Sequence, residues 1–180
     1  MVRITINGER KQYPRGTRYE EIAKEYQPSY KDMVALVIEN GKIRELIKPA
    51  NKNCELSFLT IRNDIGHKTY VRTAIMTMVK AVYDVLGRDK VKKVKVEFAI
   101  GQGYYCLVKM DEKLTDRHVK QIGRRMNELV ELDLPITKKS YPIDDAMEIF
   151  HSNNMVDKEK LFRYRRSSFV NVYCLDGYYD

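Results

Sequence analysis

The start of the chain alternates apolar and polar residues, and turn-forming pairs separate its apolar segments. Residues 2–6 alternate as a half-buried strand does, and Asn7-Gly8 predicts a tight hairpin turn after them. The spacing of apolar side chains over 18–26 predicts a short helix, which we expect Thr17 to cap. This part of the chain therefore predicts a hairpin followed by a helix.

The next segments contain an apolar run, a second turn pair and a final alternating stretch. The apolar run within 32–39 is short enough for a buried strand, and Asn40-Gly41 predicts another hairpin after it. A last strand is predicted over 55–61. Strand, hairpin, helix, hairpin and strand is the order of a β-grasp fold, which we assign to residues 1–62. The polar, turn-prone stretch 62–66 is the predicted domain boundary.

Residues 63–180 combine helical and strand patterns and predict a second domain. Apolar residues recur at three- and four-residue steps over 67–86, which predicts a long helix that stops at Gly87. A hairpin follows, with Gly101-Gln102-Gly103 as its turn. In its first strand the side chains that we expect to face inward are Val94, Val96 and Phe98.

A second long helix is predicted after Thr115, its expected capping residue, and extends to about Leu132. The side chains predicted to form its buried stripe are Val119, Ile122, Met126, Leu129 and Val130. Later patterns predict a strand, two short helices and a last strand, at 135–140, 143–150, 157–163 and 168–174. The fold class is therefore predicted to be α+β, with the long helices of the second domain packed on an antiparallel sheet.

Composition and charge narrow the function classes only modestly. Apolar residues make up 43% of the chain, enough for a folded core, and no apolar run approaches the roughly 20 residues that span a bilayer. The chain begins directly with a strand pattern, so we expect a cytoplasmic location and no membrane partner. The net charge of +8 is spread over both halves and weakly indicates a polyanionic partner. A thermophile's charged surface is the competing explanation.

Side chains that often carry catalysis are present but poorly arranged for it. Asp144 and Asp145 are adjacent, so on a helix they point about 100° apart and cannot share a proton. The cysteines and histidines lack the spacing of a zinc site or a helical metal-binding pair. They are Cys54, Cys106, Cys174, His67, His118 and His151. The chain is therefore predicted to have no catalytic residue and no metal.

Basic residues form three clusters, on the strand 91–100, on the second long helix and in the segment 163–166, where Tyr164 lies among arginines. Arginine contacts phosphate bidentately, and tyrosine offers a face on which a base can stack. If the clusters share a surface, they form an RNA or nucleotide-phosphate patch; taken singly, each is typical of a solvated face. The candidate ligand-binding residues are Lys93, Lys95, Arg124, Arg125, Arg163, Arg165 and Arg166.

Two parts of the chain resemble domains of threonyl-tRNA synthetase. The runs Ala35–Gly41 and Cys54–Thr60 are similar to a TGS domain, the β-grasp module that heads these synthetases, some GTPases and stringent-response enzymes. Residues 64–180 resemble, in the order of their elements, the synthetase's zinc-dependent editing domain. The resemblance implies a TGS domain at 1–62 and an editing-like domain at 63–180.

The editing family holds its zinc with a His-x-x-x-His pair on the first long helix and a Cys-x-x-x-His near the end. Here Tyr70 and Ala74 match the helical pair, and Cys174 is followed four residues later by Tyr178. The resemblance therefore implies neither zinc nor hydrolytic editing. We expect a cleft beside the helix 67–86, and its candidate ligand-binding residues are Tyr70, Tyr104 and Tyr105, with Arg163, Arg165 and Arg166 on the rim. The alternative is that the tyrosines fill this volume as core.

Other phrases look closer to bacterial uridine-kinase-related nucleoside kinases, namely Tyr70–Thr73, Ile100–Cys106 and Val170–Asp180. Such proteins carry a TGS domain and a metal-less editing-like domain ahead of a P-loop kinase domain. The resemblance implies that ATP and Mg²⁺ would bind in a kinase domain beyond this chain, a partner in cis, and that the chain itself has no cofactor.

Three functions are compatible with these patterns. The main hypothesis is a non-catalytic RNA- or nucleotide-binding or regulatory region in front of a uridine-kinase-like domain. The alternative is the editing or tRNA-binding region of a threonyl-tRNA synthetase-like protein. The third is a protein-interaction module that holds a dimer.

Overall fold

The computed structural model describes residues 1–101 and 103–180, except for the side chain of Asp157. The chain divides into two compact units, Met1–Thr73 and Ala74–Asp180. Its fold class is α+β, as predicted. In the described part, no helix combines the length and the apolar character needed to cross a membrane. The predicted turn at 101–103 includes Gln102, which lies outside the described residues.

The first unit contains a five-stranded mixed sheet in the order β2-β1-β5-β3-β4. Strands β1 and β5 pair in parallel, and the other neighbouring pairs are antiparallel. Both predicted turn pairs form, with Asn7 and Asn40 in the left-handed region at φ 52° and 48°. The strands are Val2–Ile6 (β1), Glu9–Tyr13 (β2), Val34–Glu39 (β3), Lys42–Glu45 (β4) and Cys54–Thr60 (β5).

Helix α1 (Tyr19–Tyr26) packs on this sheet, and a 3₁₀ turn follows it at Gln27–Ser29. The predicted period-2 alternation of β1 is seen directly, since every second side chain is buried. The fully buried side chains of this core include Ile4, Ile6, Ile22, Val37 and Leu56. Each contributes about 1.5–3 kcal/mol by leaving water. The arrangement agrees with the predicted order of elements, and its assignment as a β-grasp stays a prediction.

The prediction that Thr17 caps α1 is wrong. Its hydroxyl donates to the carbonyl of Pro14 at 2.8 Å, and the helix has no side-chain cap. The N–H groups of Tyr19 and Glu20 bond instead to carbonyl oxygens of the segment 46–48, at 3.0 and 2.8 Å. Main-chain carbonyl groups of a distant loop therefore accept the hydrogen bonds that a capping side chain would otherwise accept.

Helix α2 (Asp64–Leu86) begins before the predicted start at His67. Gly66 makes this start possible, because a Cβ at that position would lie 2.1 Å from the carbonyl oxygen of Thr60. The stretch predicted as a polar boundary is therefore partly helical, and the division between the units falls later, within α2. The assignment of 1–62 and 63–180 to named domains stays a prediction.

The second unit contains the rest of α2, a two-stranded hairpin and a three-stranded antiparallel sheet in the order β10-β9-β8. The hairpin strands are Val91–Ile100 (β6) and Gly103–Met110 (β7), and the sheet strands are Thr137–Pro142 (β8), Phe169–Leu175 (β9) and Tyr178–Tyr179 (β10). The helices are Asp116–Glu131 (α3), Ile143–Ser152 (α4) and Val156–Phe162 (α5). Thr115 caps α3 through a capping box with His118, as predicted for that helix start.

The second half of α2 packs against two hydrophobic cores. Met76 belongs to a core around Phe150, Phe162 and the strands β8–β10. Ala81, Val82 and Leu86 belong to another, which Val91, Ile122 and Leu129 complete. A helix covered on two sides in this way has little surface left for polar residues.

Lys80 is nevertheless on this half of α2 and is only 5% exposed. Its Nζ lies 3.1 Å from a carboxylate oxygen of Asp84 and 3.2 Å from one of Asp176. Asp84 in turn accepts a hydrogen bond from the Nε of Arg125 at 2.9 Å. A buried ammonium group requires such partners, because desolvation of an unpaired charge costs several kcal/mol.

Phe98 was predicted to face inward, and this is wrong: it is 55% exposed. The pairing of β6 with β7 shifts register between Val96 and Phe98. The extra residue of this bulge changes the face on which the following side chains lie. Phe98 stacks there on Tyr105, with ring centroids 5.3 Å apart.

The predicted buried stripe of α3 is too wide. Ile122 and Leu129 are buried and Met126 packs against the same core, but Val119 and Val130 are exposed, Val130 to 69%. The helix therefore buries only a narrow seam, with its two buried residues spaced by seven.

We expect Asp84→Asn to destabilise the protein by about 2–4 kcal/mol, because it removes a partner from buried Lys80 and from Arg125. Lys80→Met should cost less, since it removes the buried charge itself, and the double variant should recover much of the loss. Urea unfolding followed by circular dichroism measures all three. Glu128→Gln is the control, because it removes only an exposed partner of Arg125. A loss for Asp84→Asn no larger than that of the control would contradict the prediction.

Candidate functional site: a cleft in the second unit

A cavity of about 260 Å³ opens in the second unit. One wall comes from α2 and β6, and it is apolar except for one tyrosine and one lysine. Its residues are Ile75, Val79, Tyr83, Lys92, Val94 and Val96. The prediction of a cleft between the first long helix and the adjoining strand therefore agrees with the structure, although the lining residues differ from those expected.

The other wall comes from the start of α5 and the last residues of the chain. Lys158 lies here with its Nζ 5.6 Å from the ring centroid of Tyr178 and 5.9 Å from that of Phe150. The carboxylate of Asp180 pairs with the same ammonium group. Burial lowers the pKa of Lys158 to about 8, even though the adjacent carboxylate and the aromatic faces favour the charged form.

Aromatic stacking holds this second wall in place. The rings of Tyr83 and Tyr178 stack with centroids 5.9 Å apart, and the guanidinium of Arg88 lies 5.3 and 5.9 Å from the two centroids. Arg88 also donates to the side-chain oxygen of Asn153 at 3.2 Å. Burial raises the pKa of Tyr178, so its phenol is neutral at physiological pH.

The cleft therefore combines apolar walls and tyrosine rings with two amines, from Lys92 and Lys158, which pair with Asp111 and Asp180. Such a lining can receive a planar group against the rings, and an anionic group that displaces a carboxylate from an amine. Among the residues that the structure describes, no cluster of three or more His, Cys, Asp or Glu side chains could hold a metal ion.

The three tyrosines predicted as ligand-binding residues are about half exposed. Tyr70 lies in the first unit, on the early part of α2. Tyr104 and Tyr105 lie on β7 near the hairpin turn, and Tyr105 stacks on Phe98. None of the three is among the described residues that line the cleft. Their role in binding stays a prediction.

Several of the predicted basic residues have acidic partners. Lys95 bonds Glu97 at 2.8 Å, and Arg163 bonds Glu159 at 2.8 Å. Arg125 is held by Asp84 and Glu128, at 2.9 and 3.0 Å, so the structure gives it a structural role. Lys93 is partly buried, whereas Arg124 is exposed on α3.

The arginines after α5 lie in an exposed segment. Arg165 and Arg166 are exposed, and the guanidinium of Arg165 lies 5.2 Å from the centroid of Phe162. Tyr164, between the arginines, is 88% exposed. The segment 163–166 lies next to the helix that supplies Lys158, but none of its residues lines the cleft. The expectation that these arginines form the cleft's rim thus has no support in the lining.

Lys158, Tyr83 and Arg88 carry the geometry of the cleft, and sequence patterns did not single them out. Tyr83 is one position of the predicted long helix 67–86, and Lys158 is one position of the predicted short helix 157–163. The signal in the sequence was the pair of tyrosines near the end of the chain, Tyr178 and Tyr179. The structure places Tyr178 of that pair in the core, 3% exposed.

No protein-family model matches the chain. Curated proteins similar to it include the threonine–tRNA ligase of Thermotoga petrophila, 26% identical over 174 residues, which are 92% of this chain and 27% of that protein. The threonine–tRNA ligase of Natranaerobius thermophilus is 29% identical over 155 residues, 83% of this chain and 23% of that protein. Threonine–tRNA ligase 1 of Bacillus subtilis is 28% identical over 151 residues, with the same shares.

The chain thus spans about a quarter of the length of the curated relatives that it matches. These relatives support the resemblance to threonyl-tRNA synthetase over most of the chain. They give no support to the resemblance to uridine-kinase-related nucleoside kinases.

The lowered pKa of Lys158 predicts that the free energy of unfolding rises with pH. Because its pKa in the folded protein is about 8 and its ordinary value is 10.5, the unfolded chain binds more protons between these values. The free energy of unfolding of the unmodified protein, minus that of the Lys158→Met variant, should therefore be larger at pH 10 than at pH 8. Denaturant unfolding at the two pH values measures this, and NMR of ¹³Cε-labelled lysine should show one signal that titrates near pH 8.

The control for this comparison is Lys160→Met, an exposed lysine on the same helix. It should change stability by the same amount at both pH values. If the Lys158 signal titrated near 10.5 and the two variants behaved alike, the amine would be solvated and the cleft would not be as dry as its lining indicates.

Proposed function

We propose that the chain is a tRNA-binding region of a threonyl-tRNA synthetase-like protein, made of a β-grasp TGS domain followed by an editing-like domain that performs no hydrolysis. The similarity to threonine–tRNA ligases over 83–92% of the chain supports this proposal. RNA, or a phosphorylated nucleotide such as an RNA end, is the proposed partner. The kinase hypothesis, with its ATP, Mg²⁺ and catalytic domain in cis, has no observation in its favour.

The observation that carries the proposal is the exposure of Tyr164 among three arginines. A large aromatic side chain that is 88% exposed gains nothing from the protein's own core. It gains when a base stacks on it, which contributes about 1–3 kcal/mol per base in single-stranded nucleic-acid sites. Arg163, Arg165 and Arg166 supply donors for the phosphates beside such a base.

The cleft is the second element of the proposal. Its tyrosine rings suit the planar base of a terminal nucleotide, and the phosphate of that nucleotide would replace Asp111 or Asp180 as the partner of Lys92 or Lys158. The segment 163–166 follows α5 directly, so a strand of RNA that reaches the cleft can also contact the arginines.

The packing of Tyr178 in the core supports the part of the proposal that excludes hydrolytic editing. Tyr178, which occupies the position of the terminal histidine in the resemblance, is buried and stacked on Tyr83. A side chain committed to this stack serves the core, and a phenol with a raised pKa is a poor zinc ligand. We propose no cofactor for this chain.

Neutralising the arginine segment tests RNA binding. The triple variant Arg163→Gln, Arg165→Gln, Arg166→Gln should weaken tRNA binding at least tenfold at low salt and reduce the slope of log K against log salt by about 2–3. Tyr164→Ala should weaken binding by about 1–3 kcal/mol without changing that slope, because stacking releases no counterions. Fluorescence anisotropy with labelled tRNA over a salt series measures both quantities.

The matched control is the triple variant Lys113→Gln, Arg117→Gln, Lys120→Gln, which removes the same charge from exposed positions at the start of α3. It should reduce affinity only slightly. If the control and the arginine variant lost the same affinity, binding would reflect net charge alone. Unchanged affinity and slope in all variants would refute the proposed RNA surface.

We also expect the purified chain to contain well below one equivalent of zinc and to leave mischarged aminoacyl-tRNA intact. Tyr70, Ala74 and Tyr178 stand where the resemblance places imidazoles. Elemental analysis without chelators and an aminoacyl-tRNA hydrolysis assay check the two expectations. One equivalent of zinc together with deacylation that a chelator abolishes would overturn them.

A further inference from the structure

The first unit contains a cavity of about 530 Å³, and none of the candidate residues discussed so far is among its lining residues. Four cationic side chains line it, from Arg15, Arg44, Lys48 and Lys52. All four are exposed, and three of them lie within residues 44–52. The fold therefore brings Arg15 to a segment that is itself basic.

The backbone around this cavity is fixed by hydrogen bonds between two loops. The N–H of Gly16 donates to the carbonyl of Ala50 at 2.9 Å, and the N–H of Ala50 donates to the carbonyl of Thr17 at 2.8 Å. The N–H of Tyr19 donates to the carbonyl of Lys48 at 3.0 Å. The loops that carry Arg15, Lys48 and Lys52 are thus held together by main-chain bonds.

Glu39 is buried and also lines the cavity. Burial alone would raise the pKa of Glu39, but hydrogen bonds from Arg44 and Tyr19 and the charge of Lys52 lower it. Its carboxylate accepts the Nε–H of Arg44 at 2.9 Å. The terminal nitrogens of Arg44 make no hydrogen bond with any residue that the structure describes, so they are available to a ligand.

The remaining cations of this cavity face the carboxylate of Glu39, and the charge of Lys52 acts on it. Within the described part of the chain, Arg15, Lys48 and Lys52 form no ion pair with a carboxylate. One carboxylate, already bonded to Arg44, faces four positive charges. Cations held close together repel one another, and an anion that enters between them removes this repulsion.

We propose that this cavity is a binding site for a phosphate group, carried by a nucleotide or by an RNA end. Arginine presents a planar fork that matches two phosphate oxygens, and lysine adds point charges around them. Glu39 fixes one edge of the Arg44 guanidinium and so orients the rest of it. The site is independent of the cleft in the second unit, and it extends the proposed function by adding a second contact for phosphate.

NMR titration of the ¹⁵N-labelled chain tests the site at constant ionic strength. The probes are inorganic phosphate, AMP, and a short RNA with and without a 5′-phosphate, and chloride replaces them in the blank. The amide signals of Gly16, Ala50 and Asn51 should shift and saturate below about 10 mM phosphate. A preference for the 5′-phosphorylated RNA would identify an RNA end, and equal binding of AMP would identify a mononucleotide site.

The double variant Lys48→Gln, Lys52→Gln should weaken the binding of these probes at least tenfold while the Glu39–Arg44 pair stays in place. Its matched control is Lys24→Gln, Lys31→Gln, which removes the same charge from exposed positions outside the cavity. Shifts that stay linear with concentration, or equal losses in both variants, would overturn the proposal. Because all these changes lie in the first unit, failure here is distinguishable from failure of the arginine segment in the second.

Discussion

The burial of the second half of α2 is the constraint on which the second unit depends. Two hydrophobic cores pack against this one helix, and together they leave Lys80 almost without access to water. Asp84 and Asp176 contact its ammonium group and offset the cost of burying the charge. The ion pairs thereby connect the helix to Asp176, in the turn between β9 and β10.

The geometry of the cleft follows from this connection. With Asp176 held at Lys80, the next turn residues direct Tyr178 into the core, where it stacks on Tyr83. Tyr178 then forms part of the apolar surroundings of Lys158, which accounts for the lowered pKa of that amine. Asp176, the partner of Lys80, and Tyr178, which lines the cleft, are thus only two residues apart in the chain.

The two cavities described above use charge in different ways. In the second unit, an amine is partly withdrawn from water among aromatic rings, which suits a ligand with a planar part. In the first unit, exposed cations surround a buried carboxylate, which suits a compact anion. In both units a buried charged residue, Lys80 or Glu39, orients groups around it.

The sequence by itself determined the order of the helices and strands, because the period of apolar residues and the Asn-Gly pairs act within a few residues. It also indicated the exposed segment 163–166, whose charge and aromatic content are local properties. Three of its predictions were wrong. Thr17 does not cap α1, because main-chain groups of a distant loop bond the helix start. Phe98 is exposed because of a bulge, and the edges of α3 are exposed because its contact with the core is narrow.

Only the tertiary structure decided the ion pairs of Lys80 and Glu39, the buried amine of Lys158 and the cluster of cations in the first unit. The physical reason is common to all of them. The free energy of a charged side chain depends on its distance to other charges and to water, and those distances are set by residues far away in the sequence.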